Sequence, residues 1–377
     1  MKTDVAVIGA GPAGLATAIG AAQRGLSVQV FDKQVGPIDK ACGEGLMPSG
    51  LAALERLGAL RHLDRSDSAV FESIIYVQES GTRAVGKLPA PGGLGVRRLA
   101  LAAALRKRAL EVGVVLHEQT GIRSHRRGDD GVELISDAAT FQASVVVAAD
   151  GLHSPSRERE GLAGPTATSR RFGLRRHVRL KPWVSAVEVH FADGIEAYLT
   201  PAGVERVGVA FLWEDGALEG DVGFEALLSR FPVIEARLKG APFDSSPRGA
   251  GPLLQHVKRC VAPRFALVGD AAGYVDAITG EGLTQAFEGA EALVDVLPDV
   301  LARGGVVEAF APYERAAQRA FTRYARLAST LVWTARRPWL RRLIVGALAR
   351  SPWLFEQILH HTQPLPASGE RSTRSGG

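Results

Sequence analysis

An α/β fold is predicted: an open layer of short buried strands, an antiparallel sheet inserted into it, and helices at the C-terminal end. Three features predict it. The chain opens strand, glycine turn, helix, strand; buried strand-like runs return near residues 145 and 265; and the stretch from Thr168 to Phe211 is β-like between them. The pieces of the first layer are therefore discontinuous in sequence, and the β-rich material lies inside it.

The opening unit is the most specific. Residues 4–8 and 27–31 read as strands flanking a helix over roughly 12–24, joined by Gly9-Ala10-Gly11-Pro12-Ala13-Gly14. Gly9 permits the tight turn and Gly11 lets the backbone approach a pyrophosphate. Gly14 lets helix and strand pack closely, so the helix start points free N–H groups at phosphates. Asp32 stands 18 residues past Gly14, at the end of the second strand, where a carboxylate can accept from a ribose diol. A glycine motif that follows a strand, opens a helix and ends on an acid is a dinucleotide-binding signature.

Residues 48–62 read as helix, and Ser66 to Pro91 as strands ending in a Pro/Gly loop. Arg97 to Val112 is an amphipathic helix, followed by the strand Val114–His117. Residues 122–147 form a hairpin leading into the buried strand Val145–Ala149. Alternation in Val184–Phe191 and Glu205–Phe211 predicts antiparallel strands with one covered face. Residues 221–239 read as helical, Phe265–Val268 as another buried strand, 282–297 as a helix and 308–362 as mainly helical. The expected division assigns 1–70, 97–165 and 251–300 to the cofactor domain and 71–96 and 166–250 to the substrate domain. A helical region, 301–362, and a disordered tail, 363–377, follow.

At 377 residues with 46% apolar composition, the chain can build two or three interlocked units with large cores. Two cysteines, Cys42 and Cys260, make no disulfide framework and fit a reducing cytosol. The apolar start carries Asp4 and is used by the glycine motif, so export is not expected, and no apolar run is long enough to span a membrane. The net charge of +5 is uneven: from Arg303 to Arg350 ten arginines face only Glu308 and Glu314. A solvated helix face explains this, as does an anionic surface. Nucleic acid is not expected, because no recognition module accompanies the charge. No metal site is expected.

Three further motifs carry chemistry. An apolar strand delivers Asp150-Gly151 to a turn, followed by Ser154 and Arg157; an ordinary strand-to-loop transition would look the same. A second strand ends in Gly269-Asp270, and a loop with Gly280, Glu281, Gly282 and Leu283 then opens a helix. Asp270 could accept from a sugar-chain hydroxyl or simply cap the turn, and the helix start could face an electron-rich ring edge. In Ala41-Cys42-Gly43-Glu44-Gly45 the glycines let the backbone approach a flat ligand. No histidine adjoins Cys42 in sequence, so it is expected to be a small, non-nucleophilic side chain.

Together these residues resemble the flavoprotein hydroxylase superfamily typified by p-hydroxybenzoate hydroxylase, which also contains flavin-dependent halogenases and geranylgeranyl reductases. The resemblance runs to about residue 300. It implies a Rossmann-like FAD-binding domain with the inserted sheet as substrate domain. It further implies that Gly9, Gly11, Ala13 and Gly14 hold the pyrophosphate, with Asp32 and its neighbour Lys33 at the adenosine ribose. Arg98, or Arg97 in the alternative register, would lie beside the phosphates, Asp270 at the ribityl chain, and Gly280, Gly282 and Leu283 at the pyrimidine edge. Cys42, Gly43 and Gly45 would contact the flavin. Asp150 and Gly151 belong to a fingerprint associated with FAD and pyridine nucleotide together. NAD(P)H would dock transiently as hydride donor.

Departures bear on the chemistry. Gly273 follows Gly-Asp-Ala-Ala where aromatic hydroxylases usually have His, and Ala277 stands where they have Pro. These features and Cys42-Gly43-x-Gly45 are similar to the geranylgeranyl reductase branch. That branch's Tyr-x-Trp-x-Phe-Pro motif is reduced to Tyr198-Leu199-Thr200-Pro201. The Trp-x-Trp-x-Ile-Pro motif of halogenases is absent, so halogenation is not expected. Oxygen insertion with NAD(P)H and O2 needs position, dryness and hydrogen bonds rather than an acid–base pair. The leading expectation is an NAD(P)H-dependent FAD monooxygenase acting on an apolar or aromatic small molecule, with secondary metabolism as the expected setting. A reductase of isoprenoid double bonds and a non-catalytic flavin-binding partner are the alternatives. No catalytic side chain is assigned. The expected location is cytoplasmic. Aromatic and apolar residues beside arginines in the last helices predict either peripheral membrane contact or packing on the substrate domain.

Overall fold

A computed structural model describes residues 2–166, 170–217, 220 and 222–362. Its helices are α1 (Pro12–Gln23), α2 (Pro48–Arg56), α3 (Arg98–Glu111), α4 (Pro155–Arg159), α5 (Phe224–Leu228), α6 (Pro232–Leu238), α7 (Gly282–Ala302), α8 (Ala311–Ala335), α9 (Pro338–Arg350) and α10 (Pro352–Thr362). The tail read as disordered, 363–377, lies outside the described residues.

The first strand, Thr3–Ile8, pairs in parallel with Thr140–Ala148 on one side and Val28–Phe31 on the other. Phe265–Leu267 and Val115–His117 extend the parallel layer in either direction. Side chains alternate between two buried faces. Val5 and Val7 join the core shared with α1, α3 and α7. Ala6 and Ile8 join a second core with Ile122, Val132 and Leu134, from the meander Ile122–Arg127, Val132–Ser136 and Thr140–Ala148. Burial on both faces explains why Val5–Ile8 and Val145–Ala148 are apolar runs without a polar side.

The second sheet has seven strands and is antiparallel except where Ala186–Ala192 pairs in parallel with Ser73–Val77. The predicted single covered face is corrected here, because every residue of Ala186–Ala192 and Ile195–Pro201 is buried. One face packs Ala197, Leu199, Val209 and Phe211 against α5 and α6. The other packs Val187, Val189, Phe191 and Leu212 toward α9 and α10. The alternation was real, but two sets of helices cover the sheet. A third sheet joins Gly45–Leu46, Gly93–Val96 and Ser68–Phe71 between the two larger ones.

The C-terminal helices are anchored by Arg341, which the sequence groups with surface arginines. It is buried, donating to Gln78 Oε1 (3.2 Å), Glu79 Oε1 (3.0 Å) and Ala335 O (3.0 Å).

Candidate functional site

The parallel layer and the inserted sheet enclose a cavity of about 850 Å³. At one end the walls are glycine loops. Gly9 has φ 106°, and a Cβ there would lie 2.4 Å from Ala149 O. A Cβ on Gly14 would lie 1.9 Å from Gly9 O, so these two glycines set the approach of helix to strand. Gly11 is different: its face is open, it lines the cavity, and it caps α1 with no side-chain acceptor. The uncapped start of α1 therefore presents N–H groups to the cavity wall.

Ala13, Lys33, Cys42, Gly43, Gly45, Arg98, Asp150, Gly151, Asp270, Gly280, Gly282 and Leu283, all singled out in the sequence, line this one cavity. Arg98 rather than Arg97 faces it; Arg97 reaches toward Asp67 (3.9 Å). Arg98 is buried and its Nε has no hydrogen-bond partner. Asp270 has its carboxyl pushed upward by burial, against the pull of Arg98 and Lys40. Lys40 is lowered, first by burial and then by Arg98. A set of charges held out of water in this way calls for a polyanionic, hydroxyl-rich ligand.

Asp32 sits just outside that cavity, on a small pocket shared with Ala10, Gly36, Ile38 and Glu118. Its Oδ2 accepts from Ala10 N (2.8 Å) and its Oδ1 from Gln34 N (2.9 Å). It therefore fixes the glycine turn itself, and each oxygen retains a lone pair toward the pocket.

Asp150 is a turn builder, accepting from Ser154 Oγ and from Ser156 N (3.0 Å). That turn carries Arg157, whose buried guanidinium donates to Leu152 O (2.9 Å), Gln255 Oε1 (2.9 Å) and Ala271 O (3.3 Å). The Asp-Gly loop and the Gly269-Asp270 loop are thus tied together at the cavity wall. On the other side, buried Arg171 joins Glu196 (2.7 Å) to Asp276 (2.8 Å), fixing the inserted sheet to the loop that leads to Gly280.

One cluster was not read from the sequence. Glu44 lines the cavity with φ 61°, a backbone state that costs a non-glycine residue about 1–3 kcal/mol. Its side chain is fixed on both oxygens: Oε1 accepts from Arg98 N (2.8 Å), and Oε2 lies 2.5 Å from His177 Nε2. His177 Nδ1 faces Arg175 Nη1 (3.2 Å) and Ser245 Oγ (3.0 Å). Because Arg175 can only donate, Nδ1 accepts, and the ring proton on Nε2 points at Glu44. Glu44 N donates to Cys42 Sγ (3.3 Å). Burial raises the Cys42 thiol above its ordinary range, with Arg98 opposing, so the sulfur keeps its proton. Side-chain polar groups therefore run from half-buried Ser245 through His177 to the Glu44 carboxylate, and Cys42 Sγ is held separately by the Glu44 backbone N–H.

The far end of the cavity is apolar, with Ile74, Tyr76, Val189, Tyr198, Leu348 and Phe355 among its walls. Burial pushes the Tyr76 hydroxyl up to about 12, so it is neutral there.

A glycine-loop cradle on a parallel layer, beside an apolar cavity under a second sheet, defines an FAD-dependent oxidoreductase. The chain belongs to the FAD binding domain family, which matches residues 2–207. The residues fit the cofactor: Gly11 is open on the cavity at the uncapped start of α1, and buried Arg98, whose Nε has no hydrogen-bond partner, lines the same cavity. Among curated relatives, the chain is 27% identical to menaquinone reductase of Mycolicibacterium smegmatis, over 81% of this chain and 78% of that one. It is 28% identical to digeranylgeranylglycerophospholipid reductase 1 of Methanopyrus kandleri, over 76% and 78%. It is 26% identical to kynurenine 3-monooxygenase of Salinispora arenicola, over 95% and 85%. Among solved structures, p-nitrophenol 4-monooxygenase PnpA from Pseudomonas putida DLL-E4 superposes with a TM-score of 0.80 at 21% identity, covering 96% of this chain and 98% of that one. At that identity the likeness bears on the fold alone.

Proposed function

We propose that the chain is an NAD(P)H-dependent FAD reductase of a carbon–carbon double bond in a lipophilic, isoprenoid-type substrate. The observation that carries this reading is the protonated Cys42 thiol on the cavity wall, held by the Glu44 backbone N–H where the charged end of the cavity gives way to its apolar end. Saturating a double bond needs a hydride at one carbon and a proton at the other. Bound FAD would supply the hydride, with NAD(P)H as its reductant. The thiol of Cys42 would deliver the proton and recover it from water entering the cavity, while the Glu44 backbone N–H holds the sulfur in place. The sum is substrate plus NAD(P)H plus one proton giving the saturated product and NAD(P)+. Gly9, Gly11, Ala13 and Gly14 would hold the pyrophosphate, Asp32 and Lys33 the adenosine end, Arg98 the phosphates and Asp270 the ribityl chain. Gly43, Gly45, Gly280, Gly282 and Leu283 would flank the ring, while Asp150 and Gly151 shape the adjoining wall.

The placement of this thiol moves the reading ahead of oxygen insertion, which the sequence favours. Two of the curated relatives described above, both reductases by name, support the same order. Oxygen insertion into an aromatic or apolar substrate remains the second reading. It is favoured by a dry apolar cavity whose tyrosines stay neutral and by the relative named as a kynurenine 3-monooxygenase. Turnover with lipophilic phenols, polyketides and prenyl lipids, with and without oxygen, tests the pair. Anaerobic product two mass units heavier supports reduction; oxygen-dependent product 16 units heavier supports insertion.

A further inference from the structure

We infer that α8, α9 and α10 form a docking surface for an anionic lipid bilayer, through which substrate enters the cavity. This rests on the lipophilic-substrate part of the proposed function. The large apolar side chains Trp333, Trp339, Leu343 and Trp353 are 50%, 65%, 65% and 66% exposed, an unusual concentration for a surface facing water. Ile344 and Ile358 are also exposed, yet both line the cavity, so its mouth opens inside this patch. Leu348, Phe355 and Leu359 continue the same apolar surface inward to the cavity wall.

Charge selects the bilayer as occupant. From Arg315 to Phe355 there are nine arginines and no acidic residue. The acids that face these helices include Glu79, which pairs Arg341 and Arg342, Glu214, which pairs Arg336, Glu196 near Arg341 and Glu288 near Arg323; Glu314 and Glu356 lie on α8 and α10 themselves. Arg337 lies over the ring of Trp333 (4.0 Å), and Arg350 is exposed on the same helix as Trp339 and Leu343. An excess of guanidinium groups around tryptophans matches the interfacial layer of a membrane with negative headgroups, where rings sit at headgroup depth and cations meet phosphates. Among the described residues no helix is long and apolar enough to cross a membrane, so the contact is peripheral.

The experiment is co-sedimentation of the full FAD-loaded protein with phosphatidylcholine vesicles, with and without phosphatidylglycerol, at low and high salt. The comparison protein is the triple variant Trp339→Ala, Leu343→Ala, Trp353→Ala, whose changes are exposed and outside the cavity lining. Binding to phosphatidylglycerol vesicles that weakens in salt, and falls about tenfold or more in the triple variant, is expected. A blue shift of tryptophan fluorescence should accompany it. Equal binding to neutral vesicles, undiminished binding by the triple variant, or self-association without vesicle binding would each overturn the inference. None of these readouts depends on which reaction the protein catalyses, so failure here leaves the reductase reading to its own test.

Discussion

The two ends of the cavity are built by opposite means. At the glycine-loop end the backbone makes the surface, and each contributing run is short and local: Gly9 to Gly14, Cys42 to Gly45, Gly269 to Leu283. At the far end, side chains from Ile74, Val189, Leu348 and Phe355 meet across hundreds of residues. The first design admits least variation at Gly9 and Gly14, where a Cβ would meet backbone atoms. The second can change its substrate by exchanging one apolar side chain for another, at little cost if volume is conserved.

The largest effect is therefore expected at Gly9. Gly9→Ala places a methyl group against Ala149 O on a positive-φ backbone, a strain of about 1–3 kcal/mol before any displacement of the strand. The purified variant should be colourless or largely unfolded, and a yellow, stable Gly9→Ala protein would break the contrast between the two ends. At the apolar end, Leu348→Met should keep both fold and FAD.

Next in size is the thiol. Cys42→Ala should retain FAD but lose about a hundredfold in turnover, as expected when proton delivery is removed. Because burial holds the Cys42 thiol above its ordinary range, the donor persists as pH rises through that range and is lost only above it. Wild-type turnover should thus decline later in alkali than an exposed thiol would allow. His177→Gln, which touches the Glu44 carboxylate and not the thiol, should cost less than Cys42→Ala. An unchanged rate in Cys42→Ala would remove the thiol from the mechanism.

Smaller losses are expected where a charge meets the cofactor. Arg98→Ala or Asp270→Ala should weaken FAD retention by roughly 1.5–3 kcal/mol, the value of a charged hydrogen bond, read as FAD released on dilution. Retention equal to wild type in both would displace these residues from the cofactor.

The smallest effect isolates a buried thiol away from the cavity. Cys260 is pushed up to about 12 by burial, helped by the charge of Glu314. Its folded pKa lies above its unfolded value near 9, so its full contribution to stability exists below pH 9 and is lost as pH rises toward 12. Compared with Cys260→Ala by urea unfolding, the wild-type advantage at pH 8 should shrink by about 1.4 kcal/mol at pH 10. A constant difference would show that the thiol ionises freely in the folded state.

What the sequence revealed follows the same division. The glycine turns, and the place of Asp150 and Asp270 on one cavity wall, were legible because close backbone approach forces residue types at fixed local spacing, whereas Asp32 falls just outside that cavity. The inserted strands were legible by alternation, though their second covered face was not, since α5 and α6 arrive later in the chain. Glu44 was visible only as a member of a glycine run. Its partner His177 lies 133 residues away, and no local pattern marks a histidine on a strand as half of a buried pair. Arg341 was likewise read among surface arginines, because its acceptors at Gln78 and Glu79 are more than 260 residues distant.

The most direct test is anaerobic turnover of the FAD-loaded protein with NAD(P)H and a prenyl lipid in D2O, with the product weighed and its deuterium located. The account predicts a saturated product carrying solvent deuterium at the former double bond, formed far more slowly by Cys42→Ala. Product that forms only with oxygen and gains an oxygen atom, at a rate indifferent to Cys42, would contradict it.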